Sequence, residues 1–461
     1  MMRAARPHIP GLLIGAPRSG SGKTTITLGL QRALVRRGLS VRGLKCGPDY
    51  IDPAFHKAAT GKPSANLDSF AMPDALIESL VQEAEQDADL MIAEGSMGLF
   101  DGAGAIKGHT GASADIAALC GWPIVLVIDV TGAAQSAAAV ALGFRQFDPR
   151  IRIAGVILNK VASERHRRLI AEGMAQIGLP IFGALPREAS LILPERHLGL
   201  VQAAETHDLD QRLEALAKAI ETSVNLDGLV AAAAPAQFAI QPVKHALPPP
   251  GQKIAIARDE AFSFLYPHLE TGWQAQGASL MFFSPLADEG PSPDCDVCWL
   301  PGGYPELHAG HLAVKENFLG SLRSFARTRP VHGECGGYMV LGDALEDADG
   351  VTHRMLGLLP VTTSFAKRRL NLGYRVAEVM ADTILGREGT ILIGHEFHYA
   401  SLISAEASEA QAFARCRSAD GAELGFAGHH RGMVSGTFFH AIARDHDDGS
   451  DRPKIMEHDR F

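Results

Sequence analysis

The sequence predicts an α/β protein with two doubly wound domains, an N-terminal parallel sheet that carries a phosphate loop and a C-terminal domain built around a second tight turn. Three observations support this fold class. Apolar strands alternate with helical segments through the first half, a Gly- and Ser-rich turn follows the first strand, and another Gly-rich turn around Cys335 joins an extended segment to a helix. With 461 residues, the chain is too long for one core.

The elements of the first half are predicted in alternation after the apolar strand that begins at Leu12. Helices are expected over residues 23–36, 76–85, 112–120, 133–144 and 208–224, and strands over 41–45, 89–93, 124–128 and 153–158. This rhythm is typical of a parallel sheet covered by helices on both faces. Ligands of such sheets bind at the carboxyl ends of the strands, so the residues after each strand are the site candidates.

A proline-rich segment divides the chain. Residues 231–252 lose helical periodicity and gain proline, as linkers do. We therefore predict one domain over residues 11–230 and a second over 253–448. The second is expected to contain strands at 253–258, 279–284 and 297–300, and a helix that starts within 262–266.

Composition limits the class of protein. The net charge of −9 argues against nucleic-acid binding, because a polyanion binder normally carries a basic face. No run of about 18 apolar residues is present, and the N-terminus lacks the apolar core of a signal peptide. Six scattered cysteines fit a reducing compartment. We expect a cytoplasmic protein without a membrane partner.

The stretch LLIGAPRSGSGKTT, residues 12–25, is predicted to bind ATP. Its backbone N–H groups and the helix N-terminus suit phosphate oxygens, and Lys23 adds a full charge. Pro17 stands where the usual pattern has its first glycine. Asn159 and Lys160 follow a strand where a nucleotide base would lie, although Asn159 is equally suited to capping. The loop residues assigned to ATP are Ser19, Gly20, Ser21, Gly22, Lys23, Thr24 and Thr25.

Acidic residues follow two neighbouring predicted strands. Asp49 and Asp52 lie in KCGPDYIDPAFH, and Glu94 ends the apolar strand before GSMGLFDG. With the hydroxyl of Thr24, these carboxylates are candidate ligands of Mg²⁺ beside the triphosphate. For either aspartate, capping a turn or a helix is the ordinary alternative.

The segment VHGECGGYMVLG has the form of a nucleophile elbow centred on Cys335. Its glycines permit a cramped strand-to-helix turn that presents the central side chain. The helix N-terminus is expected to lower the thiol pKa. The N–H groups of Gly336 and of Gly303 in PGGYPE are candidates for an oxyanion hole.

A thiolate nucleophile needs a base, for which His395, His398 and His440 are candidates, and we choose His440. At this point the domain resembles a class I glutamine amidotransferase, in which the catalytic histidine follows a late strand. It departs from the usual H-x-E pattern, because Ile442 occupies the position of the glutamate. The third member of the triad is therefore expected to be absent, as in the cobyric acid synthase and cobyrinic acid a,c-diamide synthase branch.

The whole chain resembles the cobyrinate and hydrogenobyrinate a,c-diamide synthases of the cobalamin pathway. In that family, a dethiobiotin-synthetase-like ATPase domain is fused to a glutaminase domain. The motifs that carry the resemblance are APRSGSGKTT, KCGPDYIDPAFH, AEGSMGLFDG, LPGGYPE, GECGGYM and GHEFHYA.

The resemblance implies a ligase that uses ATP and Mg²⁺ to convert a corrin carboxylate into an acyl phosphate. Ammonia from L-glutamine then displaces phosphate. We expect a corrinoid polycarboxylate as substrate and a homodimer as the assembly. The residues proposed to contact the substrate are Tyr50, Arg187, Arg196, Lys367, Arg368, Arg369 and His395, with His197 and Arg375 as further candidates. A solvated surface explains the basic residues equally well.

Three alternatives are weighed against this reading. A cobyric acid synthase-like amidase acting on other corrin side chains ranks second. A partitioning or nitrogenase-type ATPase would share the phosphate loop but would not need a cysteine elbow. A regulatory protein on an inactive amidotransferase domain would lack the nucleophile, whereas Cys335 is intact. The sequence leaves open whether cobalt is already in the ring.

Overall fold

A computed structural model describes residues 8–188, 195–196, 199–200, 202–206, 208–240, 242–403 and 408–445, with backbone only at 195–196 and 199–200. The chain divides between Lys244 and His245 into two compact units. This division falls inside the segment predicted as a linker. Part of that segment is folded onto the first unit, because residues 234–235 pair with its first strand.

The first unit contains a parallel sheet with helices between its strands. Its strands are β1 (Pro10–Gly15), β2 (Val41–Cys46), β3 (Ala65–Leu67), β4 (Leu90–Glu94), β5 (Ile124–Asp129), β6 (Ile153–Val161), β7 (Ile181–Pro186), β8 (Glu195–Arg196), β9 (Gly199–Leu200) and β10 (Ala234–Pro235). The sheet order is β3-β2-β4-β1-β5-β6-β7 with parallel neighbours, and β10 pairs antiparallel with β1. Strands β8 and β9 form a separate pair.

The helices of this unit connect the strands and bury one face each. They are α1 (Lys23–Arg36), α2 (Asp52–Thr60), α3 (Asp74–Glu85), α4 (Ser113–Cys120), α5 (Ser136–Phe147), α6 (Glu164–Gln176), α7 (Leu209–Ser223) and α8 (Leu226–Ala232). Strand β4 is buried along its whole length, as expected for a central parallel strand covered on both faces. Apolar residues of α1 and α7 pack together against this sheet.

The predicted alternation is confirmed, but three helices and several short strands were not predicted. These are α2, α6, α8, β3, β8, β9 and β10. Helix α1 has the predicted bounds. Helix α2 begins at Asp52-Pro53, where proline suits the first turn of a helix, and Gly61 follows its end with φ 73°.

The second unit contains a mostly parallel sheet, an antiparallel sheet and a smaller mixed sheet. Its strands are β11 (Lys253–Ala257), β12 (Ser279–Phe283), β13 (Val297–Leu300), β14 (Val331–Glu334), β15 (Ala344–Glu346), β16 (Thr352–Arg354), β17 (Thr362–Ser364), β18 (Asn371–Val379), β19 (Ile391–His398), β20 (Ser401–Leu402), β21 (Ala414–Ser418), β22 (Glu423–Ala427), β23 (His429–Arg431), β24 (Val434–Thr437) and β25 (His440–Arg444). Its helices are α9 (Pro267–Ala275), α10 (Ala309–Leu312), α11 (Glu316–Phe325) and α12 (Gly336–Leu341).

The parallel sheet of the second unit has the order β12-β11-β13-β14-β24-β23, and only β23 runs antiparallel to its neighbour. A second sheet, β22-β21-β18-β19-β25, is antiparallel and was not predicted. The smaller mixed sheet has the order β16-β15-β17-β20. The helix expected to start within 262–266 begins at Pro267 instead. The α/β fold class with a phosphate-loop sheet is confirmed.

None of the helices in the described ranges is long and apolar enough to cross a membrane. All six cysteines are free and buried.

Candidate active sites

The phosphate loop lies between β1 and α1. Gly20 and Gly22 adopt φ angles of 73° and 92°, a region that side chains disfavour. The Ser21 hydroxyl donates to Arg18 O at 2.8 Å, and Lys23 Nζ donates to Met97 O at 2.5 Å. Burial and the nearby Lys45 lower the pKa of Lys23 to about 8. The cradle is thus formed by backbone, with one ammonium group held at its base.

Asn159 and Lys160, the predicted base-recognition residues, contact the phosphate loop itself. Asn159 Nδ2 donates to Ser21 O at 2.9 Å. Lys160 Nζ donates to Asp129 Oδ2 at 2.8 Å and to Gly20 O at 3.4 Å. These bonds give both side chains a role in holding the loop, and recognition of a base stays a prediction.

A buried charge network lies at the carboxyl end of β4. The Thr24 hydroxyl donates to Glu94 Oε1 at 2.5 Å, and His56 Nε2 lies 2.8 Å from Glu94 Oε2. Lys45 Nζ is 3.1 Å from Glu94 Oε1 and 2.5 Å from Asp52 Oδ2. The structure therefore brings Thr24, Asp52 and Glu94 together as predicted. Sequence reasoning missed Lys45 and His56, although both lie within the motif that contains Asp52.

The network keeps its carboxylate ionised. Burial opposes the ionisation of Glu94, but Lys45, His56 and Thr24 outweigh it and hold the pKa of Glu94 well below its usual range. Burial also opposes the charge on Lys45, yet the carboxylates of Asp52 and Glu94 raise the pKa of Lys45 above its ordinary value. Glu94 and Lys45 consequently stay charged at neutral pH, whereas burial raises the pKa of Asp52 to about 8.

Asp49 has the capping role that was the ordinary alternative. Its Oδ1 accepts the N–H groups of Ile51 and Asp52, each at 2.8 Å, at the start of α2. The neighbouring Tyr50 is half-buried. A metal-binding role for Asp49 stays a prediction.

The predicted substrate contacts are distributed over both units. Arg187 is exposed just beyond β7, whereas the side chain of Arg196 and all of His197 lie outside the described residues. Lys367, Arg368 and Arg369 are exposed before β18. Arg375 is paired with Glu396, at 2.9 Å, and is not a free cation.

Cys335 is the turn residue between β14 and α12. Its backbone has φ 46° and ψ −102°, an uncommon conformation for a residue with a side chain. The glycines allow the strand and helix to pack this closely, since a Cβ on Gly337 would lie 2.0 Å from Leu300 O. The N–H of Cys335 donates to Thr437 O at 2.7 Å. The predicted elbow geometry is present.

The two proposed oxyanion-hole residues lie side by side. A Cβ on Gly336 would be 3.0 Å from the nitrogen of Gly303. The backbone nitrogen of Gly303 therefore lies close to the residue that follows Cys335. Assignment of the hole stays a prediction.

His440 lies beside the elbow. A Cβ on Gly302 would be 2.6 Å from His440 Cε1 and 3.3 Å from Cys335 Cβ, so both side chains lie against the same glycine. Burial lowers the pKa of His440 to about 3, which leaves the ring neutral and able to accept a proton.

His395 is buried next to His440 and is not on an exposed surface. The two residues are opposite each other on β19 and β25, and their rings stack at 5.1 Å. His395 Nε2 also lies 2.7 Å from the hydroxyl of Tyr266. His395 is therefore a neighbour of the proposed base, and its contact with the corrin stays a prediction.

A carboxyl group lies beside His440 after all. Glu334 directly precedes the nucleophile, and its Oε2 is 3.6 Å from His440 Nδ1. Its Oε1 accepts the N–H of Ala441 at 3.0 Å. The expectation of an absent third member considered only position 442, where a buried isoleucine stands. An acidic residue next to the elbow cysteine was the signal that sequence reasoning missed.

The expected lowering of the Cys335 pKa is wrong for the structure as it stands. Burial raises the pKa of the thiol, and the nearby Glu306, Glu334 and Glu396 add to this effect. The backbone N–H of Gly336 lowers it by less. Thiolate formation therefore depends on proton transfer to a neighbouring base.

Comparison with known proteins agrees with this arrangement. Residues 12–201 match the family described as the CobQ/CobB/MinD/ParA nucleotide binding domain, and residues 253–448 match the CobB/CobQ-like glutamine amidotransferase domain. The hydrogenobyrinate a,c-diamide synthase of Mesorhizobium japonicum is 56% identical over 94% of this chain and 98% of its own length. Those of Agrobacterium fabrum and Rhodobacter capsulatus are 54% and 53% identical with the same coverage.

The fold and the two sites define a nucleotide-binding domain fused to a class I glutamine amidotransferase domain. The chain belongs to the hydrogenobyrinate a,c-diamide synthase family. The family resemblance stated from the sequence is thereby confirmed.

The Lys45 network should be important for stability. Replacing Lys45 by methionine removes the charge but keeps the length, and leaves the Glu94 carboxylate buried without its ammonium partner. We expect the free energy of unfolding to fall by about 3–5 kcal/mol, measured by urea denaturation. Lys62→Met is the control, because Lys62 pairs with Asp87 at the surface. This substitution should lower the free energy of unfolding by less than about 1 kcal/mol. Equal small losses would contradict a charged network.

The second unit should lose stability in mild acid. Burial lowers the pKa of His268 to about 4 and that of His332, His398 and His440 to about 3. Because the unfolded chain protonates first, the stability present above pH 6.5 is lost as pH falls towards 3. At pH 5 each such histidine contributes a loss of up to about 2 kcal/mol.

Glu334 has the opposite effect on stability. Burial raises its pKa to about 8, so protonation of Glu334 stabilises the folded unit as pH falls. One group does not offset four. We expect the urea midpoint, followed by fluorescence of Trp273 and Trp299 in this unit, to fall between pH 7 and pH 5. A flat midpoint over this range would show that the histidines are not buried in neutral form.

Proposed function

We propose that the chain amidates the a and c side-chain carboxylates of hydrogenobyrinate, using ATP and glutamine. The observation that carries the proposal is the presence, in one chain, of a phosphate loop with its buried Glu94 network and an intact Cys335 elbow with His440 beside it. The substrate is taken from the names of relatives that are 53–56% identical to this chain. A phosphate loop alone or an elbow alone would serve only half of this reaction.

The first unit would activate the carboxylate. A carboxylate is a poor electrophile, so an oxygen of the substrate attacks the terminal phosphorus of ATP, which forms an acyl phosphate and ADP. Lys23 lies where it can offset charge on the transferred group, and the loop N–H groups position the phosphates. Ammonia then attacks the acyl carbon, phosphate leaves, and the amide loses a proton.

Mg²⁺ fits the residues at this site. The hydroxyl of Thr24 and the carboxylate of Glu94 are oxygen donors of the kind Mg²⁺ prefers, and they face each other beside the loop. No group of three His, Cys, Asp or Glu side chains among the described residues is arranged to hold a metal. Water and phosphate oxygens would complete the shell, as is usual for this ion. When bound, Mg²⁺ would neutralise phosphate charge.

The second unit would release the ammonia. The thiol proton of Cys335 passes to His440 as the sulfur attacks the amide carbon of glutamine, and the N–H groups of Gly303 and Gly336 hold the developing oxyanion. His440 returns the proton to the leaving nitrogen, which departs as ammonia and leaves a thioester. Water, deprotonated by His440, hydrolyses the thioester to glutamate.

Substrate contacts are assigned by charge. Arg187 of the first unit and Lys367, Arg368 and Arg369 of the second are exposed, and we propose each as a separate candidate for pairing with corrin carboxylates. The expected cytoplasmic location, where ATP and glutamine are abundant, and the expected homodimer stay predictions.

The state of the ring can be tested by turnover. If the relatives' names apply, the metal-free hydrogenobyrinate should give a kcat/KM at least about ten-fold above that of cobalt-containing cobyrinate, measured by steady-state kinetics. Mass spectrometry and NMR of the product should place both amides on the a and c side chains. Preference for cobyrinate would correct the substrate, and amides on other side chains would favour the cobyric acid synthase alternative.

The two-site reading can be tested by separating the nitrogen sources. Cys335→Ser removes the nucleophile with little change of volume, and His440→Ala removes its base. Glutamine-dependent amidation should fall by at least about 10³-fold in both variants. Ammonium salt at raised pH should restore amidation, because the acyl phosphate does not distinguish the source of ammonia.

Cys416→Ser is the matched control, since Cys416 is a buried thiol of the same unit that lies outside the elbow. It should keep glutamine-dependent activity. A Cys335 variant that is inactive with ammonia too, or active with glutamine, would require a separate glutaminase centre to be abandoned.

A further inference from the structure

The neighbourhood of His440 contains a carboxyl group that the resemblance to other class I amidotransferases does not provide. Those proteins carry the orienting glutamate two residues after the histidine, where this chain has Ile442. The Ile442 side chain is 1% exposed, and its backbone oxygen lies 3.0 Å from His268 Nε2. Position 442 is therefore used for packing and offers no carboxylate.

Glu334 reaches the same histidine from β14, which pairs with β24. It is the last residue of β14, directly before the nucleophile, and pairs in register with Thr437 on β24. Cys335 N–H also bonds to Thr437 O at 2.7 Å. Residue 440 follows three positions later at the start of β25. Backbone pairing thus holds the Glu334 carboxyl and the His440 ring at a set separation.

The Glu334 carboxyl group contacts the first two residues of β25, His440 and Ala441. One oxygen accepts the Ala441 N–H at 3.0 Å, and the other lies 3.6 Å from His440 Nδ1. The second distance is just outside hydrogen-bonding range, and such contacts in ligand-free sites commonly tighten when substrate binds.

We propose that Glu334 is the positioning residue of the glutaminase site and takes the place of the missing glutamate. The ionised form of Glu334 accepts the Nδ1–H of His440, which leaves Nε2 as the proton acceptor for the thiol of Cys335. Burial raises the pKa of this carboxyl group to about 8, so its neutral form predominates in the resting site at pH 7, and the ionised form is the active one. Once His440 has taken the thiol proton, the carboxylate stabilises the imidazolium. His395 stacks on the face of the ring while Glu334 lies at its Nδ1 edge.

Packing does not explain an acid at this position. Burying a carboxyl group in a site with 2% exposure is costly, and a glutamine would accept the Ala441 N–H equally well. What glutamine lacks is the ability to carry a negative charge next to His440. Retention of the acid is therefore accounted for by the charge that it can place there.

Two other acids lie near the nucleophile. Glu396 forms an ion pair with Arg375 at 2.9 Å. Glu306 is the last residue of PGGYPE and acts electrostatically on Cys335. Glu334 lies within ion-pair distance of His440, with 3.6 Å between Oε2 and Nδ1.

Glu334→Gln tests the role. It keeps the shape and the Ala441 bond, so glutamine-dependent kcat should fall by about 10²–10⁴-fold with a smaller change in KM for glutamine. Ammonia-dependent amidation should be unchanged. Glu346→Gln is the matched control, because Glu346 bonds to Ser364 in the same unit away from the elbow, and both activities should persist.

A second readout separates positioning from a structural role. The rate of Cys335 alkylation by iodoacetamide, followed against pH, reports formation of the thiolate. In Glu334→Gln its midpoint should move upward by at least about one pH unit, because the imidazolium loses its counter-charge. Wild-type kcat with glutamine, or an unshifted alkylation profile, would overturn the proposal.

If Glu334→Gln lost ammonia-dependent activity as well, Glu334→Asp would decide. This variant keeps the charge but withdraws it by one methylene, so an intermediate kcat with an intact fold is expected, and a kcat equal to wild type would overturn the role. The proposal rests on the glutaminase function above. A Cys335→Ser variant that still uses glutamine removes both, whereas an unaffected Glu334→Gln beside an inactive Cys335→Ser removes only the role of Glu334.

Discussion

The burial of the Glu94 carboxylate is the constraint on which the first unit depends. Glu94 has no solvent exposure, and a charge in such a place is tolerable only when partners surround it. Those partners come from three elements: Thr24 from α1, Lys45 from β2 and His56 from α2. Because each must reach the end of β4, these elements have little freedom to move apart. The phosphate loop opens at the same place, so the demands of stability and of phosphate chemistry coincide.

The second unit meets a similar cost in a different way. Its elbow, with φ 46° at Cys335, places a buried thiol next to a buried histidine, and neither is charged at rest. Neutral groups are cheaper to bury than ions. Under the proposed mechanism, charge is created only during the reaction, when the proton moves from sulfur to His440. The Glu334 carboxyl group lies close enough to His440 to stabilise the positive charge that forms on the ring. The buried network of the first unit is thus charged at rest, whereas the cysteine and histidine of the second unit are neutral at rest.

Particular residues show how far the sequence could be read. The bounds of α1 followed from an apolar strand, a glycine-rich turn and helical periodicity, all of which are local. His440 was chosen by its order after the elbow, and it lies against the same glycine as Cys335. The predicted lowering of the Cys335 thiol pKa was wrong, because the sequence indicates a helix N-terminus but does not indicate how deeply the thiol is buried. The bond from Asn159 to Ser21 O was not predicted, because it joins residues far apart in the chain.

The sequence by itself determined the parallel sheets, the phosphate loop, the elbow and the family, because each is encoded by residues close together in the chain. Only the tertiary structure decided which distant side chains meet. Lys45 and His56 join Glu94, about 40 to 50 positions away, and Glu334 meets His440 across 106 positions. Local patterns specify backbone conformation, whereas the neutralisation of a buried charge depends on which elements the folded sheet makes adjacent.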